Sequence, residues 1–328
     1  MAVLLDPHGR KIEYLRVSVV DSCNLRCFYC RPGNLCKPRS VRGQLSRQQI
    51  VQVVAATAKA GIRKVRLTGG EPLVRKDIVE IVREIAKIPE IEDLSLTTNA
   101  TLLAELAKPL REAGLKRVNI SLDSLDGRNF EQITCGGKIQ ATLDGIDAAF
   151  AAGLTPIKIN MVVMKGINDH EVQSFARLTH DRDVHVRFIE YMPMLGQDDL
   201  WQKHYLSSRE IMALCEAVEP MEPWLQEDLS GPARNFRYQQ AIGRLGFITP
   251  VSQHFCSQCN RLRLTSDGKL RPCLFSAEEV DLLPTLKSGE DLLPLFYEVL
   301  QKKPEHAEAS PAAQGSRCGP RGMVEIGG

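Results

Sequence analysis

Cys23, Cys27 and Cys30 are spaced C-x₃-C-x₂-C. Three thiolates at that spacing can hold a cubane iron–sulfur cluster, and a four-iron cubane with three protein ligands leaves one iron open to a small molecule. Zinc would need a fourth donor close by, and only Cys36 follows at short range. A disulfide framework belongs to an oxidising compartment, and no secretory signal precedes these cysteines. A second set lies far along the chain, Cys256 and Cys259 as C-x₂-C with Cys273 beyond. It suits either another three-cysteine cluster or, with His254 as a fourth donor, a Cys₃His zinc site. Spacing alone leaves both readings open.

Arg261 and Arg263 follow the second set directly and sit two apart on a strand-like run, so they share a side. Arg16, Arg66 and Lys158 occupy comparable places in other strand-like runs. Lys and Arg usually end on solvated surface. Cations alternating with apolar neighbours inside strands fit that fate less well, and five converging between two metal sites would suit a polyphosphate.

The elements that must carry these groups alternate. Strand patterns fall at Leu15–Val20, Lys64–Thr68, Asp93–Thr98, Arg117–Leu122, Ile157–Met164 and Val184–Ile189. Between them run amphipathic helical patterns such as Ser46–Ala60, which opens with Ser46 and Gln49 as a capping box. Others are Lys76–Lys87, Leu102–Ala113, Ile139–Ala152 and His170–Thr179. Five strands keep one face polar, as in Arg16/Ser18, Arg66/Thr68, Thr97/Asn99, Ser121/Asp123 and Lys158/Asn160. A sheet covered on both sides would be apolar on both faces, and a closed barrel packs its interior with aliphatic residues. The pattern predicts an α/β fold, a partial (βα)₆ TIM-like barrel with a polar lumen. The cysteine loop, Gly69-Gly70-Glu71-Pro72, Ser121–Asp123 and Met192-Pro193 all fall at the C-terminal ends of strands, where barrel active sites lie.

Beyond Trp201 the rhythm stops. A hairpin is expected around Ser266-Asp267-Gly268. Pro304–Gly322 is rich in Pro, Ala, Gly and Ser. The expected organisation is a barrel domain over residues 1–200, a C-terminal region over 201–303 that closes the open side, and a mobile tail over 304–328 ending in Gly-Gly.

Hydrophobic residues make up 43% and charged residues 25% of the 328, and 42 Lys+Arg against 40 Asp+Glu leave a net charge of +2. That balance gives no footprint for nucleic acid or a membrane surface. No apolar run approaches the ~18 residues of a membrane-spanning helix. Ten cysteines without a signal peptide point to a cytoplasmic, reducing setting.

The cysteine triplet with Tyr29 inside it, and the later Gly-Gly-Glu-Pro, resemble radical S-adenosylmethionine (SAM) enzymes. Within these, YLRVSVVDSCNLRCFYC, RLTGGEPLVRKD, NISLDSL, KINMVVMKGIND, VRFIEYMP and HFCSQCNRLRLTSDGKLRPCLF resemble the GTP 3′,8-cyclase family. The likeness covers nearly the whole chain and includes the terminal Gly327-Gly328. It implies two [4Fe–4S] clusters, one on Cys23, Cys27 and Cys30 whose open iron binds SAM, and one on Cys256, Cys259 and Cys273 that binds guanine. It further implies a SAM site of Tyr29, Gly70, Ser121 and Met192, with Gly70 allowing close backbone approach. Arg16, Arg66, Thr97 and Lys158, with the Arg261-Leu262-Arg263 run, match GTP-contacting positions, and Arg261 and Arg263 would also serve catalysis. The implied reaction opens molybdenum cofactor biosynthesis. SAM is cleaved reductively, hydrogen leaves C3′ of GTP, and C3′ joins C8 to give (8S)-3′,8-cyclo-7,8-dihydroguanosine 5′-triphosphate. An electron-supplying reductant and a cyclic pyranopterin synthase acting next are the implied partners, with a monomer or homodimer as the assembly. Val20, Ser22 and Arg31 depart from the family's Thr, Arg and Met, and Cys36, Cys135 and Cys318 are additional thiols with structural or incidental roles.

Overall fold

Six parallel strands form the centre of the molecule: β1 (Tyr14–Ser18), β2 (Lys64–Thr68), β3 (Asp93–Thr98), β4 (Arg117–Ser121), β5 (Ile157–Val163) and β6 (Val184–Glu190). The computed structural model describes residues 3–30, 43–193, 198–224, 231–306 and 321–327. Helices α1 (Arg47–Lys59), α2 (Ile78–Ile85), α3 (Leu103–Glu112), α4 (Gly127–Thr134), α5 (Ile139–Ala151) and α6 (Val172–Asp181) connect the strands. The expected capping box is present: Gln49 N donates to Ser46 Oγ at 3.2 Å, and Ser46 N donates to Gln49 Oε1 at 2.9 Å. Sequence periodicity did not anticipate α4, a short helix beginning at glycine. It forms because the Asp126 carboxylate accepts from the amides of Arg128 and Asn129 at 3.0 and 2.8 Å.

The outward residues of the strands, among them Leu15, Val17, Val65, Leu67, Leu94 and Leu96, are buried with the apolar faces of the helices. The inward faces carry Arg66, Ser95 and Asn119, packed away from solvent yet polar, and the half-buried Arg16. This is the open α/β barrel that the alternation predicts.

The C-terminal half adds strands to both edges of this unit. These strands are β7 (Met221–Pro223), β8 (Ala233–Tyr238), β9 (Arg244–Ile248), β10 (Arg261–Leu264), β11 (Lys269–Arg271) and β12 (Val280–Asp281). The order is β12-β11-β10-β1-β2-β3-β4-β5-β6-β9-β8-β7, with β10 parallel to β1 and β9 parallel to β6. Both edges of the six-strand unit therefore receive C-terminal strands, and β10 sets Arg261 opposite Tyr14 and Arg263 opposite Arg16. Among the described residues no helix is long and apolar enough to cross a membrane.

Candidate active site

The first cysteine loop leaves β1 and is held by the turn after β2. Gly70 N donates to Val20 O and Glu71 N to Ser22 O, both at 2.8 Å. A Cβ at Gly70 would lie 2.2 Å from Ser22 O and 3.0 Å from Cys23 N, so only glycine lets the two backbones meet. Buried Glu71 ties this turn to β3, accepting from Thr98 Oγ1 at 2.7 Å and from the amides of Asn99 and Leu73 at 2.7 and 3.0 Å. Burial raises it to about 7 against those hydrogen bonds. Within the loop, Tyr29 donates to Asp123 Oδ2 at 2.6 Å, and Val162 N donates to Asp123 Oδ1 at 2.8 Å. Burial lifts Asp123 to about 6, although both hydrogen bonds favour its ionised form.

The three thiols are half-buried and free of disulfides. Burial, then Asp123, Cys30 and Cys23, push Cys27 well above the ordinary thiol range. Three thiolates beside a buried carboxylate repel one another unless a cation joins them, so this donor set fits an iron–sulfur cluster.

A cavity of about 240 Å³ extends from Cys23, Cys27 and Cys30 down the inward faces of the strands to Tyr14. A second, of about 170 Å³, is lined by Cys256, Cys259 and Cys273. Arg16, Met192, Ile248, Arg261 and Met323 line both, so one lumen spans the two cysteine sets. Between the sets, strand register places Arg263, Arg16 and Arg66 side by side. Like charges directly opposed across strands repel. Burial and Arg263 hold Arg16 well below its usual range, and burial and Arg261 bring Arg263 to about 10. A row of largely buried guanidinium groups calls for an anion. In the same lumen Tyr14 Oη, Thr97 Oγ1 and Asn160 Oδ1 are buried with no hydrogen-bond partner among the described residues. Such orphaned atoms mark a place for a polar ligand.

The second set is braced from behind. Buried Lys303 donates to Arg261 O at 2.9 Å and Pro272 O at 2.8 Å, and its Nζ lies 3.6 Å from Cys259 Sγ. Arg10, paired with Asp6, donates to Cys256 O at 2.7 Å. Burial opposes ionisation of Cys259, but Arg261 and Lys303 outweigh it and bring the thiol to about 6. A thiol so readily deprotonated fits a metal ligand. Among the described residues no group of three or more His, Cys, Asp or Glu side chains forms a ready single-ion site.

Residues 321–327, expected within a mobile tail, are docked instead. Arg321 pairs with Asp267 and Glu279 at 2.8 Å each, Val324 and Ile326 are buried, and Arg263 Nη1 donates to Gly327 O at 2.7 Å. These contacts give the segment its own anchor. Gly328, Arg31, Cys36 and Cys318 lie outside the described residues.

Of the residues singled out from sequence, Arg16, Arg66, Thr97 and Arg261 line the larger cavity, as do Tyr29, Gly70, Ser121 and Met192. Arg263 lines only the smaller one. Lys158 is buried on the Asn160 face of β5 but is not among the residues lining either cavity. Leu262 belongs to the apolar core on the opposite face of β10. Cys135 is exposed at the end of α4. Sequence reasoning missed Tyr14 and Arg187 as site residues, and named Glu71 only as part of the Gly-Gly-Glu-Pro turn. Arg187 was within reach, since the inward polar alternation continues through β6 to a residue that lines the lumen.

An open (βα)₆ sheet with a three-cysteine loop after its first strand and a polar lumen beneath it defines a radical SAM protein. The Radical SAM superfamily profile matches residues 17–179, and the Molybdenum Cofactor Synthesis C profile matches residues 184–309. The fold is similar to that of Streptococcus suis SuiB bound to its precursor peptide SuiA (TM-score 0.65, 16% identity, 90% of this chain and 67% of that one). The GTP 3′,8-cyclase of Listeria monocytogenes is 46% identical over 333 residues, covering 100% of both chains. That of Geobacter sulfurreducens is 49% identical over 290 residues, covering 88% of this chain and 89% of the relative. The chain belongs to the GTP 3′,8-cyclase family of radical SAM proteins.

Proposed function

We propose that this chain converts GTP into (8S)-3′,8-cyclo-7,8-dihydroguanosine 5′-triphosphate, the opening step of molybdenum cofactor biosynthesis. The observation that carries the reading is the row of buried and half-buried arginines lying in one lumen between two cysteine sets. SAM, bound with a reduced [4Fe–4S] cluster on Cys23, Cys27 and Cys30, supplies a carbon-centred radical able to remove hydrogen from the ribose.

This chain's own residues bind and orient. Arg16, Arg66, Arg261 and Arg263, together with Lys158 on β5, neutralise the triphosphate, and Thr97 offers a hydroxyl. The hydrogen bond from Tyr29 to Asp123 fixes the cysteine loop over the lumen. Tyr29, Gly70, Ser121 and Met192 surround the SAM end. Cys256, Cys259 and Cys273 would hold a second [4Fe–4S] cluster at the guanine end, where the low-lying Cys259 thiol suits a metal ligand. Gripping GTP at both ends brings C3′ and C8 together by orientation. The walls keep water from a reactive centre. A reductant, and a cyclic pyranopterin synthase acting on the product, complete the reading, with the cytoplasm as its setting.

The test is anaerobic turnover of iron-reconstituted protein with SAM, dithionite and GTP, followed by mass spectrometry. The expected result is 5′-deoxyadenosine together with a cyclised GTP isomer. Cleavage of SAM with GTP unchanged would refute the substrate.

A further inference from the structure

Tyr14 opens β1 on the same face as Arg16, is 5% exposed, and lines the lumen at the end away from the first cysteine loop. A buried phenol ordinarily finds an acceptor for its hydroxyl. Among the described residues the Tyr14 hydroxyl has none. Its surroundings explain why. The Arg66 guanidinium lies 5.5 Å from the ring centroid, and the Cα register partners of Tyr14 are Arg261 and Lys64. These side chains can only donate hydrogen bonds. Burial opposes ionisation of the phenol, yet Arg66, Arg16, Arg261 and Arg117 together lower it from its ordinary range. The hydroxyl is therefore a strengthened donor with no acceptor among the described residues.

What such a group lacks is an anionic oxygen. At about 3.3 Å per residue, the strand carries Tyr14 roughly 13 Å before Ser18, with the cysteine loop beyond. A nucleotide whose ribose lies near that loop extends its phosphates toward Tyr14. We propose that Tyr14 is a substrate-contacting residue whose hydroxyl donates to an oxygen of the terminal phosphate, so that it distinguishes a nucleoside triphosphate from the diphosphate. This rests on the reading that the lumen takes GTP.

The test is calorimetric titration of the anaerobic, cluster-loaded protein and of Tyr14→Phe with GTP and with GDP. Loss of one hydrogen bond to a charged oxygen should weaken GTP binding about tenfold or more, with GDP binding held within about twofold. Thermal unfolding supplies a second readout. Removing a hydroxyl that has no partner should leave the ligand-free midpoint unchanged or raised, whereas a lowered midpoint would make its role structural and overturn the proposal. An equal loss for both nucleotides, or no loss for either, also overturns it while GTP binding by the wild type stands. Failure of the wild type to bind GTP would instead overturn the nucleotide reading, and the role of Tyr14 with it.

Discussion

Arg321→Ala should release the C-terminal segment from the sheet. The guanidinium donates to both oxygens of Asp267, at 3.1 and 2.8 Å, and lies 2.8 and 3.0 Å from the two oxygens of Glu279. Charge-assisted hydrogen bonds contribute about 1.5–3 kcal/mol each when well shielded. Several facts hold the total well below the sum of four. The side chains of Arg321, Asp267 and Glu279 are 16%, 25% and 20% exposed, so solvent screens them in part. Both carboxylates also keep other partners after the substitution, Thr265 for Asp267 and Arg271 for Glu279. A loss of about 2–3 kcal/mol follows, which shifts the balance between docked and released segment by roughly 30- to 150-fold. Hydrogen exchange reads this directly. Glu325 N donates to Gly322 O and Gly322 N to Glu325 Oε2, at 3.0 and 2.8 Å, and both bonds depend on the segment being folded. Exchange over residues 321–327 should accelerate by that factor while β1 to β6 keep their protection. Unchanged protection in the segment would show that Val324, Ile326 and the Gly327 contact hold it without Arg321.

Three further outcomes are expected. Gly70→Ala places a Cβ 2.2 Å from Ser22 O, a backbone clash costing about 1–3 kcal/mol or more, so iron bound at the first cysteine set should fall after reconstitution; full iron loading would contradict the account. Lys303→Met leaves the buried carbonyls of Arg261 and Pro272 without their donor and should cost roughly 2–4 kcal/mol in urea unfolding of the apoprotein, and an unchanged midpoint would remove the brace. Glu71, raised from 4.5 to about 7 by burial, holds its proton longer in the folded than in the unfolded chain. Its contribution to apoprotein stability is present below about pH 4.5 and is lost as pH rises to about 7, by up to about 3 kcal/mol, and Glu71→Gln should flatten that slope; an identical slope in both proteins would contradict the assignment.

Much of the barrel was legible because its alternation is unusual. Arg16, Arg66 and Asn160 interrupt apolar strands at period two, and this can be read without knowing what the strands face. The same signal in β6 would have led to Arg187. Tyr14 was hidden because a tyrosine in a strand reads as apolar, and only its orphaned hydroxyl separates it from core. The brace behind the second cysteine set was not legible at all. Arg10 reaches Cys256 and Lys303 reaches Arg261 across long stretches of chain, and no local pattern encodes such meetings. Only through the family resemblance did the terminal Gly-Gly point to a tail that reaches the site, and its anchor was not legible for a related reason. Its composition upstream is that of a mobile segment, while its anchor is one arginine whose partners lie on and beyond the β10–β11 hairpin.

The central claim is that this lumen brings the ribose of GTP to the open end of the first cysteine set. GTP deuterated at C3′, incubated anaerobically with the reconstituted protein, SAM and dithionite, tests it most directly. The account predicts one deuterium in the 5′-deoxyadenosine released and its loss from the cyclised nucleotide. Unlabelled 5′-deoxyadenosine formed alongside GTP that keeps its deuterium would contradict it.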